Sequence, residues 1–354
     1  MHYAFVGHTP ALSTLELKSL GLKPQPLTDT IMRLEENPLP VADMLGGTIK
    51  MGEQLALVEF KNLETELGKY IGIDPAKNIA VTDYRSAPLG PRDLHAIKKS
   101  LARPVRFVSM ETSEHELVML SKQHVAEFNL IPEEGKIAIT KTIWIQDGIA
   151  WGQRDRERPY QDIKRGMLPP KVARIMVNLA TKGEKGTLLD PFCGTGTILV
   201  EGAFLGQRVV GSDNDPRAVE GTARNLSWIN PDLPHQLQVS DATHVSEWLK
   251  QVDYIASEPY LGPLLESRGL PPEVKIRDIA RGLDKLYRGA LRDWAKLAPK
   301  RVVMIIPEFH AYHKIIPTLS VDRIRALGYN TLAQVPYSKP GAVVIRQITV
   351  LEKI

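Results

Sequence analysis

The chain has 354 residues, 43% hydrophobic and 24% charged, the composition of a globular protein of two or three domains rather than a disordered, collagenous or coiled-coil chain. One cysteine excludes an internal disulfide framework, a cysteine-based zinc site and a redox cysteine pair, and no uncharged apolar run approaches the roughly 18 residues of a membrane helix. Net charge is +4, divided as −3 over residues 1–150 (16 basic, 19 acidic) and +7 beyond, with +5 of that inside 151–186, a basic stretch suited to a polyanion such as nucleic acid.

In chain order, Tyr3–Gly7 reads as a strand and Pro10–Leu20 as a helix, with Leu12, Leu15, Leu17 and Leu20 at helical spacing and Gly21 as its stop. Leu55–Phe60, Ile79–Tyr84 and Val105–Val108 read as strands, and Asp93–Leu101 as a helix. Ser113–Asn129 reads as strand then helix, and Lys136–Thr140 and Thr142–Ile145 as two further strands. This first part is α+β and carries no catalytic cluster. Met1–Val6 lacks a basic region followed by an apolar one, so the expected compartment is the cytoplasm.

From residue 186 the pattern becomes regular. Strands at Thr187–Asp190, Arg208–Asp213, Gln236–Ser240, Val252–Ser257 and Val302–Ile306 alternate with helices at Thr197–Leu205, Pro216–Ile229, Ile276–Ala298 and Val321–Leu327. Alternation of this kind predicts βαβ units in a doubly wound parallel sheet. Thr331–Val335 and Val343–Leu351 are joined by Pro336–Gly341, too short for a helical crossover, which predicts a terminal antiparallel hairpin.

Four strand ends carry chemistry. Asp190-Pro191-Phe192-Cys193-Gly194-Thr195-Gly196-Thr197 places an acid and two glycines between a strand and a helix, where backbone approaches a ligand closely and a helix N-terminus offers N–H groups. Asp213 follows 23 residues later at the next strand end, placed to bond a ribose diol, with Asn214 beside it. Asp215 before Pro216 reads as a helix cap. Asp241 ends the third strand, where it either meets an adenine amino group or is an ordinary loop acid. Ser257-Glu258-Pro259-Tyr260 ends the fourth. Cys193 reads as a small filler, and the scattered histidines predict no metal site.

The first and fourth of these segments resemble motifs I and IV of the class I S-adenosylmethionine-dependent methyltransferases that modify exocyclic amino groups. The stretch from Arg158-Pro159-Tyr160 through Gly166-Met167-Leu168-Pro169-Pro170-Lys171 to Asn178-Leu179-Ala180 resembles the segment before motif I in THUMP-containing tRNA guanosine-N2 methyltransferases, the archaeal guanosine-10 enzymes among them. The resemblance implies a Rossmann-like methyltransferase domain over 186–354 with a seven-stranded sheet. Before it would come a ferredoxin-like region (1–60), a THUMP-like RNA-binding domain (61–150), and a basic linker with a helix (151–185).

It further implies S-adenosylmethionine as cofactor, with Asp190, Phe192, Gly194 and Gly196 at its methionine end, Asp213 and Asn214 at its ribose, Asp241 at its adenine, and Asp162 either reaching the same pocket or capping a helix. Ser257 would accept a hydrogen bond from the guanine amino group, Pro259 would help orient it, and Tyr260 would stack on the flipped base. This suits the chemistry, because a weakly nucleophilic amine needs acceptors that aim its lone pair and an aromatic face that holds the base out of its stack. Glu258 stands where the family pattern has proline. It is either a second acceptor for the amino protons or a structural residue paired with a nearby arginine.

Arg154, Arg158, Lys164 and Lys171 either track phosphates of a tRNA partner or form a solvated charge run. The expected reaction is methyl transfer to guanosine N2 in tRNA. The alternatives are an amino-methyltransferase of rRNA or DNA, acting on guanine N2 or adenine N6, and a non-catalytic RNA-binding protein with a degenerate fold. A nicotinamide-dependent dehydrogenase fits less well, since the glycines are too few for the dinucleotide fingerprint.

Overall fold

The computed structural model describes residues 1–108, 124–162, 167–263, 265, 270–339 and 341–354, and the chain divides into two compact units, Met1–Gln153 and Arg154–Ile354. Among the described residues no helix is long and apolar enough to cross a membrane.

The first unit runs β1 (His2–Val6), α1 (Pro10–Ser19), β2 (Gln25–Pro26), β3 (Ile31–Leu34), β4 (Thr48–Val58), α2 (Leu63–Ile73), β5 (Asn78–Asp83), α3 (Pro91–Ser100), β6 (Arg106–Phe107), β7 (Val125–Glu133) and β8 (Lys136–Ile145). These strands form one sheet in the order β2-β3-β1-β4-β8-β7-β5-β6. The boundary anticipated at 60/61 is therefore no break in the sheet. β4 pairs antiparallel with β8 from Lys50↔Ile145 to Val58↔Ile137, which joins the two halves through backbone hydrogen bonds. The two strands read separately at 136–140 and 142–145 are a single β8. Residues 125–129, read as helix, belong to β7, because parallel pairing with β5 outweighs local propensity there. The rest of that reading, 113–123, lies outside the described residues.

The chain enters the second unit within α4 (Gly148–Arg156). There follow α5 (Pro170–Thr181), β9 (Thr187–Asp190), α6 (Thr197–Phe204), β10 (Arg208–Asp213), α7 (Pro216–Ile229), β11 (His235–Val239), β12 (Tyr254–Ser257), α8 (Glu273–Trp294), β13 (Arg301–Ala311), β14 (Lys314–Pro317), α9 (Val321–Ala326), β15 (Tyr329–Tyr337) and β16 (Val344–Lys353). The sheet order is β11-β10-β9-β12-β13-β16-β15, with β14 paired to β13. β11 to β13 are parallel, and β16 runs antiparallel to both β13 and β15, as the short connection requires.

α8 lies on this sheet because Ile276, Ala280, Leu283, Tyr287, Leu291 and Trp294 recur at intervals of three and four, all buried in one core with Leu189, Ile255, Val302 and Met304. Cys193, Leu199, Val200, Val209 and Leu226 form a second cluster in this unit, which makes Cys193 the filler its position suggested. β13 extends five residues beyond Ile306 because β14 and β16 both bond to its polar end. Pro307, Glu308 and His310 hide that extension from an apolar-run reading. Sheet order reverses between β9 and β12, so their carboxyl ends open the crevice where doubly wound folds bind ligands.

Candidate functional site

Asp190 closes β9 and Ser257 closes β12, on adjacent strands in parallel register, Leu189 opposite Ile255. That brings two side chains 67 positions apart in sequence into contact. The Ser257 hydroxyl donates to Asp190 Oδ1 over 2.7 Å, and the Phe192 N–H donates to the same oxygen over 3.1 Å. Both side chains are shut away from solvent, Ser257 at 0% and Asp190 at 2% exposure. Burial is the main force on the Asp190 carboxyl. The nearby charges of Asp213 and Glu258 add to it, the two donated hydrogen bonds oppose it, and its pKa is pushed up to about 7.

The turn after β9 is built from its glycines. Gly194 and Gly196 take φ of +53° and +75°, the left-handed region. A Cβ on Gly196 would fall 2.8 Å from Thr222 Cγ2, so α7 packs directly on the bare backbone. Asp213 ties this turn to the next: its Oδ2 accepts from the Gly194 N–H at 3.0 Å and its Oδ1 from the Asp215 N–H at 3.0 Å. Asp215 caps α7 through the Arg217 N–H at 3.0 Å, the structural role its sequence position indicated. Asn214 is exposed next to it. Asp241 is exposed beyond β11, where the Thr243 N–H bonds its carboxylate and pulls its pKa down.

Glu258 Oε1 lies 2.8 Å from Arg346 Nε on β16. Burial pushes its carboxyl upward and Arg346 opposes that push. Of the two roles open for Glu258, pairing with an arginine is present. Arg346, 88 positions away, was invisible as a partner because only the pairing of β16 with β13 brings it to the end of β12. Pro259 is buried, while the Tyr260 ring is 58% exposed. The Tyr260 carbonyl accepts from the buried Tyr287 hydroxyl at 2.7 Å, which fixes its backbone and leaves the ring presented.

The basic segment behaves differently from its reading. Arg154 and Arg158 are 9% and 4% exposed. Arg154 Nε lies 3.1 Å from Glu201 Oε1, and Arg174 engages the other Glu201 oxygen at 2.6 Å. Arg158 donates to Thr197 Oγ1 at 2.5 Å. Phosphate tracking by Arg154 and Arg158 is thus corrected: Arg154 is held inside by the buried Glu201 and Arg158 is buried against Thr197, so neither guanidinium lies on the surface for an RNA backbone. The clue was Glu201 itself, a lone acid in the apolar helix Thr197–Phe204, which must find a cation if it is buried.

Lys171 is partly buried, and Lys164 lies outside the described residues. Asp162 lines a cavity of about 490 Å³ with Tyr160, Asp215 and Arg217 at the start of α7, apart from the Asp190–Ser257 pair. Tyr160 is anchored there because Gly221 has no side chain; a Cβ would fall 2.0 Å from its ring.

Residues 157–324 match the family model described as an RMKL-like methyltransferase domain. A tRNA (guanine(10)-N2)-dimethyltransferase of Methanothermobacter thermautotrophicus is 51% identical over 125 residues, 35% of this chain and 36% of that protein. The chain thus spans about a third of the length of that relative. A probable tRNA (guanine(10)-N2)-dimethyltransferase of Methanothermococcus thermolithotrophicus is 37% identical over 111 residues, 29% of this chain and 68% of that one. Among solved structures, TrmN from Thermus thermophilus aligns over 100% of both chains with a TM-score of 0.55 at 17% identity, which shows the shared methyltransferase fold. By these matches, the chain belongs to the tRNA guanine-10 N2-methyltransferase family.

Proposed function

We propose that the chain methylates the exocyclic N2 of a guanosine in tRNA, with S-adenosylmethionine as the methyl source and the base flipped out of its stack. The observation that carries this is the convergence of Asp190, Ser257, Glu258 and the presented Tyr260 ring at the carboxyl ends of β9 and β12. The residues fit such a cofactor. Gly194 and Gly196 bare the backbone at two positions of the turn, and Asp213 and Asp241 stand at successive strand ends, one beside that turn and one exposed. Asp190, Phe192, Gly194 and Gly196 would hold its methionine end, Asp213 and Asn214 its ribose, and Asp241 its adenine. Bound there, it supplies an electrophilic methyl group, so the protein needs no nucleophile of its own.

The protein's part is to aim and deprotonate. Ser257 accepts one amino hydrogen, Tyr260 stacks on the base, and Arg346 holds Glu258 in place beside Ser257. The first unit fits a THUMP-type RNA-binding role, since it is a compact unit of its own and its sequence carries no evident catalytic cluster. Positive charge for the RNA backbone is available on α8 and α9. Arg281, Lys285, Arg288 and Arg292 follow one another at four, three and four residues on one helix face, and with Arg323 they border a groove of about 540 Å³. Asp284 engages Arg288 and Arg323, while Lys285 and Arg292 have no ion pair among the described residues.

The test is methyl transfer from labelled S-adenosylmethionine to tRNA lacking the modification, followed by digestion to nucleosides. Label in N2-methylguanosine is the expected result. Label confined to another base, or none with the cofactor bound, overturns it.

A further inference from the structure

Methylation of an exocyclic amine leaves a surplus proton, and the fold places one carboxylate where it can receive that proton at one remove. Ser257 has a single hydroxyl hydrogen, and it is directed at Asp190 Oδ1. Its oxygen lone pairs therefore remain as acceptors. A carboxylate stands beside this serine on the neighbouring strand.

We propose that Asp190 is a positioning residue and the proton acceptor for the substrate amine, acting through Ser257. The proposal rests on reading the site as an amine methyltransferase. As the methylated amine loses its surplus proton, an N2–H bond breaks and a new O–H bond forms at Ser257 Oγ. The former Ser257 hydroxyl hydrogen moves to Asp190 Oδ1. The positive charge on the amine and the negative charge on the carboxylate cancel, and the hydroxyl is regenerated. The proton leaves Asp190 for water when the product departs.

The surroundings suit this duty. Asp190 faces Ser257 from β12, the Phe192 N–H from its own loop, and the charges of Asp213 on β10 and Glu258 beyond β12. No cation pairs with it among the described residues. Burial and the two acids lift its pKa to about 7, where a carboxyl both takes and releases protons near neutrality. Glu258, the other carboxyl near the amine, is already engaged by Arg346, which opposes its protonation.

Two readouts test the relay. In the free full-length protein, an infrared difference titration, with the Asp190 band identified by its absence in Asp190→Asn, follows the Asp190 carboxyl directly. It titrates near 7 in the wild type and at higher pH in Ser257→Ala, since the lost hydrogen bond had favoured the anion. In single-turnover transfer to tRNA, the wild-type rate climbs with pH through a limb at or below about 7. At saturating S-adenosylmethionine, so that a weaker hold on the cofactor's methionine end does not enter the rate, Asp190→Asn lowers the plateau about 100-fold and removes the limb.

An Asp190 band that titrates identically in Ser257→Ala overturns the relay. So does a limb that survives in Asp190→Asn and vanishes in Glu258→Gln, which gives the proton to Glu258. A loss in Asp190→Asn that lies wholly in cofactor binding also overturns it, and each of these leaves the methyl-transfer reading standing. Absence of wild-type transfer to any nucleic-acid amine removes that reading, and the relay falls with it.

Discussion

Glu201 and Asp190 are both buried acids of the second unit, and burial pushes both of their pKa values upward. Glu201 answers with cations: Arg174 at 2.6 Å and Arg154 at 3.1 Å, with the charge of Arg158 also favouring its ionised form. Asp190, among the described residues, answers with hydrogen bonds alone, from Ser257 and the Phe192 N–H. The first arrangement locks α6 to the chain segment before it through ion pairs. The second leaves a carboxyl poised to change its charge, at the carboxyl ends of β9 and β12 where the sheet order reverses. Local charge pairing separates a structural acid from a chemical one.

The comparison breaks first on the structural side. Glu201→Ala strands two buried guanidiniums, and removal of one partner from a buried ion pair costs about 3–5 kcal/mol. A denaturant melt of the second unit reads that loss; a change within error would mean that the arginines find other partners and that the cluster is not structural. On the chemical side, Asp190→Asn removes the charge but keeps the shape. Transfer then falls about 100-fold with the fold intact.

The same variant sharpens the contrast through stability. The Asp190 pKa is raised from 3.8 to about 7, so between those values the folded state holds the extra proton. Stability attributable to this group is present at the acid end and is lost as pH rises through the folded pKa. Thermal melts across that window should fall with rising pH in the wild type and flatten in Asp190→Asn. An unchanged slope would mean that Asp190 titrates as an ordinary carboxylate.

Gly196→Ala forces a side chain into φ +75° and against Thr222, at a cost of about 1–3 kcal/mol. Reduced affinity for S-adenosylmethionine, measured by calorimetry, should accompany the lower melting temperature. Tyr260→Ala should weaken tRNA association by about 1–3 kcal/mol, the worth of one base stacked on an aromatic ring. The fold should be untouched, because the ring is exposed and only its carbonyl is held. The smallest effect is expected from Lys285→Ala with Arg292→Ala, which should reduce the salt dependence of tRNA binding by about one unit of slope for each phosphate deprived of its cation. Equal slopes would take the α8 groove out of the RNA path.

Much of the second unit was legible in the sequence because its signals are local. The apolar runs at Thr187–Asp190 and Val302–Ile306, the glycines after Asp190 and the short link before Val344 each dictate their own conformation. In the first unit, edges and register were less legible. β2 and β6 are two residues each, and their existence depends on the strands they pair with. A boundary at 60/61 looked natural in sequence, yet β4 directs its hydrogen bonds to β8, some ninety positions on.

What the sequence determined by itself was the alternation of strands and helices, the turn chemistry at Asp190 to Thr197, and the placing of an acid or a serine at four strand ends. These follow from side-chain periodicity and backbone preference over a few residues. Tertiary structure alone decided the partners. It set Ser257 on Asp190, Arg346 on Glu258, and Arg154 and Arg174 on Glu201, over separations of 27 to 88 positions for the hydrogen-bonded pairs. A carboxyl's charge depends on solvent access and on which groups share its space, and strand order and helix packing fix both.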